Sequence, residues 1–299
     1  MNKGPHPLVE PAQEQRSLTE ECALRVWDRS TRAWNRPTAV FFALSVCLVY
    51  WTFSVAGSFG RDFTISIPSV HFAIDTRFIL LMAASFLPAL YCFSVYPECS
   101  ASLNKLSANW KVYFAAIAAG FIPLLSYFGS RDPPFQWGRS DAMHLARVFA
   151  INLFLSPLWE EIIWRGCFLR KVRSFSSVSS GIVLMSVGWT IWHGGYIAFL
   201  LSGGIPIKVL SVLPFTYFFS GILFGSVFEM SRGSLWPCVL LHSAFNATTA
   251  IYYSAFNRAS ELGSYVSELV FMAVAAAIFF LIAVRSSRSA RPASALSAV

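Results

Sequence analysis

The chain has 299 residues, 56% of them hydrophobic and only 13% charged, with a formal net charge of +8. A soluble surface needs more charge, and a large soluble helical core would interrupt its apolar runs with a polar stripe every turn, so a soluble protein is excluded. The positive balance reads as membrane topology and contact with anionic lipid, and a nucleic-acid partner is not expected.

Residues 1–16 are Pro-rich and polar and read as disordered. Ser17 with Glu20 makes a capping box, and Arg25, Arg29, Arg32 and Arg36 fall along one side of a helix. A basic amphipathic helix on the inner membrane surface is therefore expected before Pro37, within a cytoplasmic segment 1–36. A span needs about 20 mostly apolar residues. Windows of that kind recur near 38–58, 77–96, 110–128, 144–164, 178–200, 208–229, 234–253 and 264–284. They predict an all-α, polytopic integral membrane protein of about eight transmembrane helices over 37–284, followed by an unstructured cytoplasmic tail, 285–299.

In the loop 59–76, Phe63, Ile65 and Ile67 have the alternation of a short strand, and Arg131-Asp132-Pro133-Pro134 signals a turn in the loop 129–142. His6, His71 and His144 fall in loops or at a helix end. With the N-terminus inside, sixteen Lys and Arg lie on the inner side and seven on the outer, which places both termini in the cytoplasm. The inner count includes Arg165, Arg170, Lys171 and Arg173 as one loop. The six cysteines show no paired spacing, so neither a disulfide framework nor a CxxC metal site is expected. The first apolar run is long enough to span, which argues against a cleaved signal peptide, and no cysteine stands four from the end as a prenylation box would need.

Ionisable groups inside a span cost about 2.5–3.5 kcal/mol each on insertion scales and usually mark function. The fourth window holds Glu160, Glu161 and Arg165 in one apolar stretch. Glu161 and Arg165, four apart, share a helix face and can pair, whereas Glu160 is rotated by about 100 degrees and loses that partner. Glu161 and Arg165 therefore read as a structural pair and Glu160 as a carboxylate facing a wet cavity. Without a partner in an apolar setting, a carboxylate is a stronger base, suited to general-base work near neutral pH. The fifth window holds His193, followed by Gly194 and Gly195, which would let another backbone or a substrate come close. In the seventh, His242 and Asn246 stand one turn apart and could donate to one developing oxyanion; hydrogen-bonded glue between helices is the other reading. All three clusters lie well inside their windows and can meet at one depth.

At these residues the sequence resembles the CPBP (CAAX protease and bacteriocin-processing) intramembrane endopeptidases, which include the type II CAAX prenyl endopeptidases. Glu160-Glu161-x3-Arg165 and His242-x3-Asn246 match two family motifs, and Trp189-x3-His193 matches the third with Trp where the family has Phe. The resemblance covers about 145–250. It implies an eight-helix fold with a cavity open to the cytoplasm and the membrane. It also implies hydrolysis of a peptide bond in a membrane-associated protein or a prenylated, lipid-proximal peptide. Carried over, Glu160 activates water with help from His193, His242 and Asn246 hold the oxyanion, and Glu161 and Arg165 support the first motif. The family has been described both as metal-dependent and as glutamate-dependent without metal. Glu160, His193 and His242 would be the ligands of a zinc ion, but HExxH spacing is absent, and the metal-free reading is favoured with no cofactor. A proton-coupled transporter and a non-catalytic membrane partner or immunity protein on the same fold are the competing functions.

Overall fold

The computed structural model describes residues 36–58, 62–67, 70–106, 109–129, 139–154, 156–202, 204–256 and 262–289. The expected surface helix before Pro37, the turn at Arg131 and the tail beyond 289 lie outside these residues. In chain order come α1 (Arg36–Ser58), a hairpin of β1 (Asp62–Ile67) and β2 (Val70–Asp75), α2 (Thr76–Val95), α3 (Pro97–Asn104), α4 (Trp110–Ala119) and α5 (Ile122–Gly129). Then follow α6 (Arg139–Phe154), α7 (Ser156–Glu161), a π-helical segment (Ile162–Leu169) and α8 (Arg170–Arg173). The chain continues through α9 (Val178–Ser202), α10 (Ile207–Leu210), α11 (Leu213–Met230), α12 (Trp236–Phe256) and α13 (Leu262–Ser289).

Helix occupies every one of the apolar windows, and the hairpin is the exception to an otherwise helical fold among the described residues. Four stretches are long and apolar enough to cross a membrane: Ala142–Arg173, Val178–Ser202, Ile207–Met230 and Leu262–Ser287. Shorter apolar helices at Phe42–Thr52, Met82–Val95 and Trp110–Ala119 accompany them. The protein is an integral membrane protein. The strand alternation at Phe63 is real, and its partner strand pairs Phe63 with Ile74 and Ile65 with Phe72, which puts His71 in a strand.

Several boundaries differ from the expected ones. Helix α13 runs to Ser289, past the point where the tail was expected to begin. Arg139, His144 and Arg147 belong to α6. Arg165 and Lys171 are fully buried, so they leave the count of loop cations; the Lys171 ammonium lies 4.9 Å from the centre of the Tyr96 ring. Pro157 falls in the first turn of α7, where a residue without an N–H is tolerated.

Two close approaches set the helices that carry the site. The third window breaks at Gly120, where a Cβ would collide with Ala244 and sit 3.0 Å from the Leu241 carbonyl oxygen of α12. Thr248 of α12 donates its hydroxyl to the Gly120 carbonyl at 2.7 Å, satisfying a group that the break exposes. On α11, Gly221 and Gly225 form a small-x3-small face against α9. A Cβ at Gly221 would lie 2.9 Å from Ser186 Cα, and one at Gly225 would meet Met185 and Ile182. Because the obstacle at Gly221 is backbone, no rotamer change relieves it. Gly221→Val should therefore lower stability by about 1–3 kcal/mol, read as a lower melting temperature of the detergent-solubilised protein.

Candidate active site

Glu160 ends one short helix, and its partner is one turn earlier on the same helix: Ser156 Oγ donates to Glu160 Oε1. The other oxygen, Oε2, is buried and has no hydrogen-bond partner among the described residues. Glu160 is thus not left wholly unpaired, as helix geometry alone suggested. A serine that starts a helix can turn its hydroxyl onto a group four residues on.

Glu161 and Arg165 do form the expected pair, with Arg165 Nη1 3.0 Å from Glu161 Oε1 and both side chains fully buried. The pair extends further than sequence indicated. Glu161 Oε1 also accepts from His242 Nδ1 at 2.9 Å, and His242 Nε2 lies 3.9 Å from Glu160 Oε2. A single imidazole therefore binds one carboxylate through Nδ1 and turns Nε2 toward the other, short of hydrogen-bond distance. Arg165 finds its remaining stabilisation on aromatic faces: its guanidinium carbon lies 4.7 Å from the Trp189 ring centre and 5.1 Å from that of Phe224.

His193 reaches the cluster through rings. Its Nδ1 lies 2.9 Å from the Trp189 carbonyl oxygen, which can only accept, so Nδ1 carries the proton and Nε2 presents a lone pair. The imidazole stacks on Tyr217 of α11 at 4.1 Å and meets the edges of Trp189 at 4.3 Å and Trp192 at 4.8 Å. Trp189 also lies 6.0 Å from the His242 ring, which makes it the one aromatic side chain seen touching Arg165, His193 and His242. Asn246 is half-buried one turn beyond His242 on α12. The glycines after His193 admit a side chain of this protein: Trp51 of α1 lies over Gly194 and donates its indole N–H to the Ile191 carbonyl at 3.0 Å.

Sequence reading missed Ser156, Tyr217 and Glu268. Serine at i−4 of an intramembrane glutamate was the available signal for the first. Tyr217 had none, since it comes from a helix without a motif. Glu268 is a buried carboxylate of α13 within electrostatic reach of Tyr217, and an acid inside an apolar window should have flagged it. An apolar groove of about 660 Å³, lined by Val40, Leu44, Phe168, Leu184, Val187 and Ile191, runs along a different face of α9. Trp164, which packs on Gly188 and on Trp192, stands between that groove and His193.

Fold and site together define a membrane-embedded helical protein with two carboxylates and two imidazoles on three motif-bearing helices. The family model of type II CAAX prenyl endopeptidases, Rce1-like, matches residues 142–248, the stretch that holds all three motifs. That match supports assignment to the CPBP family of CAAX proteases and points to a protease. No curated protein matches the chain in sequence.

Removing one member of the buried ion pair leaves the other uncompensated. Arg165→Gln should cost about 3–5 kcal/mol, whereas Glu161→Gln combined with Arg165→Gln should cost less than Arg165→Gln alone. Thermal denaturation of the three purified proteins checks that order.

Proposed function

We propose that the protein is a CAAX-type intramembrane endopeptidase that cleaves a peptide bond in a membrane-associated protein or lipid-proximal peptide with water activated by Glu160. The observation that carries this reading is the unpartnered Glu160 Oε2, buried 3.9 Å from His242 Nε2. A base and a hydrogen-bond donor at that separation can flank one carbonyl carbon, with the attacking oxygen on one and the carbonyl oxygen on the other.

Charge counting assigns the protons. Glu160 and Glu161 carry two negative charges in a desolvated setting, and Arg165 supplies one positive charge. A second arises if His242 is an imidazolium, which donates through Nδ1 to Glu161 and through Nε2 toward the oxyanion. As water attacks, Glu160 Oε2 takes one of its protons, the new C–O bond forms, and the carbonyl π electrons move to oxygen. The negative charge passes from Glu160 to the oxyanion, and the net charge of the site stays zero throughout. That constancy suits a low-dielectric interior, where a change of net charge is costly. The proton on Glu160 then moves to the amide nitrogen, the C–N bond breaks, and a carboxylic acid and an amine leave. In this scheme His193 Nε2 accepts a hydrogen bond from the second water hydrogen, which stays on the attacking oxygen, and the Asn246 amide adds a donor to the oxyanion.

The donor set Glu160, His193 and His242 is of a chemistry that zinc accepts, and those three residues would hold the ion in a metal-dependent reading. The scheme above is written with side chains alone, and the substrate is bounded only as membrane-associated.

Glu160→Gln keeps the shape and the Ser156 contact but cannot take a proton. It should abolish cleavage, a loss of at least about a hundredfold, with the melting temperature close to that of the wild type. Comparing membrane-peptide profiles by mass spectrometry between cells carrying either protein tests this, and undiminished cleavage by the variant would remove Glu160 from the role. Turnover should also survive exhaustive dialysis against a zinc chelator; loss restored by added zinc would reverse the metal-free assignment.

A further inference from the structure

One end of the helix bundle is tied together by three short segments. Ser234 Oγ donates to the Lys105 carbonyl at 2.6 Å and Trp236 Nε1 to the Leu103 carbonyl at 2.7 Å. The Leu235 N–H reaches the Ser102 carbonyl at 3.3 Å, and Arg170 Nη2 donates to the Gly233 carbonyl at 3.0 Å. This junction gathers Lys105, Arg170 and Arg232 side by side, the first and last exposed to the surroundings. Burial and the neighbouring Arg170 and Arg232 guanidinium groups together push the Lys105 ammonium below its ordinary range, so the three cations repel one another. Glu229, one turn before Arg232, is engaged by Arg173 at 3.2 Å and also lies within electrostatic reach of Arg170, which leaves Lys105 and Arg232 as the cations turned outward.

Arg232 adds an independent observation. Its φ of 56° makes it the one non-glycine residue in the left-handed region among the described residues, followed by Gly233 at 85°. A side chain there is strained, and glycine would not be. Strain held at an exposed cation points to a use for the charge. Beside Lys105, Leu106 is 73% exposed and Trp110 68% exposed. Apolar and indole surface next to exposed cations matches the chemistry of a lipid headgroup region rather than that of a soluble anion.

We propose that Lys105 and Arg232, reinforced by the charge of Arg170, bind the phosphate of an anionic glycerophospholipid whose acyl chains lie along Leu106 and Trp110. This site shares no residue with the peptidase centre and does not depend on the peptidase reading.

The test uses the full chain in phosphatidylcholine nanodiscs with and without phosphatidylglycerol, followed by thermal denaturation and by native mass spectrometry of retained lipid. Phosphatidylglycerol should raise the melting temperature of the wild type and remain bound on release into neutral detergent. Lys105→Gln with Arg232→Gly should weaken that binding about thirtyfold and abolish the rise, while Lys208→Gln, in α10, should leave both intact. Arg232→Gly alone separates the lipid role from a structural one. It should raise the melting temperature in pure phosphatidylcholine, because strain is relieved, and reduce the response to phosphatidylglycerol. An equal phosphatidylglycerol response in wild type and double variant would overturn the proposal. So would an equal rise produced by inorganic phosphate in phosphatidylcholine discs, which would assign the cations to a soluble anion.

Discussion

Two adjacent carboxylates buried among apolar helices force the chain to bring positive charge and hydrogen-bond donors to them. Much of the arrangement follows from that demand. Arg165 comes from one turn along the same helix, His242 from α12, and Ser156 from the turn before. The cation is then sandwiched by Trp189 and Phe224, whose faces take up the guanidinium groups that no oxygen reaches. Those two rings belong to α9 and α11, so the electrostatic demand of one helix becomes a packing constraint on three others. The glycine faces at Gly120 and Gly221 are what allow α12 and α9 to come that close.

The chemistry proposed here inherits this economy. His242 is held by Glu161 through one nitrogen and directed toward Glu160 through the other, so the structural pair and the catalytic pair share an imidazole. Support and catalysis are coupled through Glu161, which is why the division of the first motif into a working residue and a buttress is less sharp than spacing suggests. Glu161 accepts the Nδ1–H hydrogen bond of His242 and so orients the ring, and in the proposed chemistry this leaves Nε2–H aimed toward the oxyanion.

Helix positions and the residues of the three motifs were legible in the sequence because both depend on local features: apolar run length, and charge or amide where apolar residues are expected. Glu161 with Arg165 was readable for the same reason, as a contact within one turn. Contacts between helices were not. Nothing in the order of residues says that His242 meets Glu161 rather than Glu160, or that Tyr217 stacks on His193, because each depends on crossing geometry set by glycines elsewhere. Burial of Arg165 and Lys171 hides from a count of loop cations, since the partners that hold them, the Glu161 carboxylate and aromatic faces among them, are contacts that a count does not register.

The π-helical segment from Ile162 to Leu169 has a consequence beyond the site it adjoins. Each of its hydrogen bonds closes five residues back instead of four, so it takes up an extra residue without lengthening the rod in proportion. The helix therefore carries two registers. Residues before the segment are phased to the carboxylates, and those after it are phased to the basic end at Arg170. The offset acts as a coupling sleeve between two shafts: the polar centre and the basic end at Arg170 can each keep their own angular setting on one continuous helix.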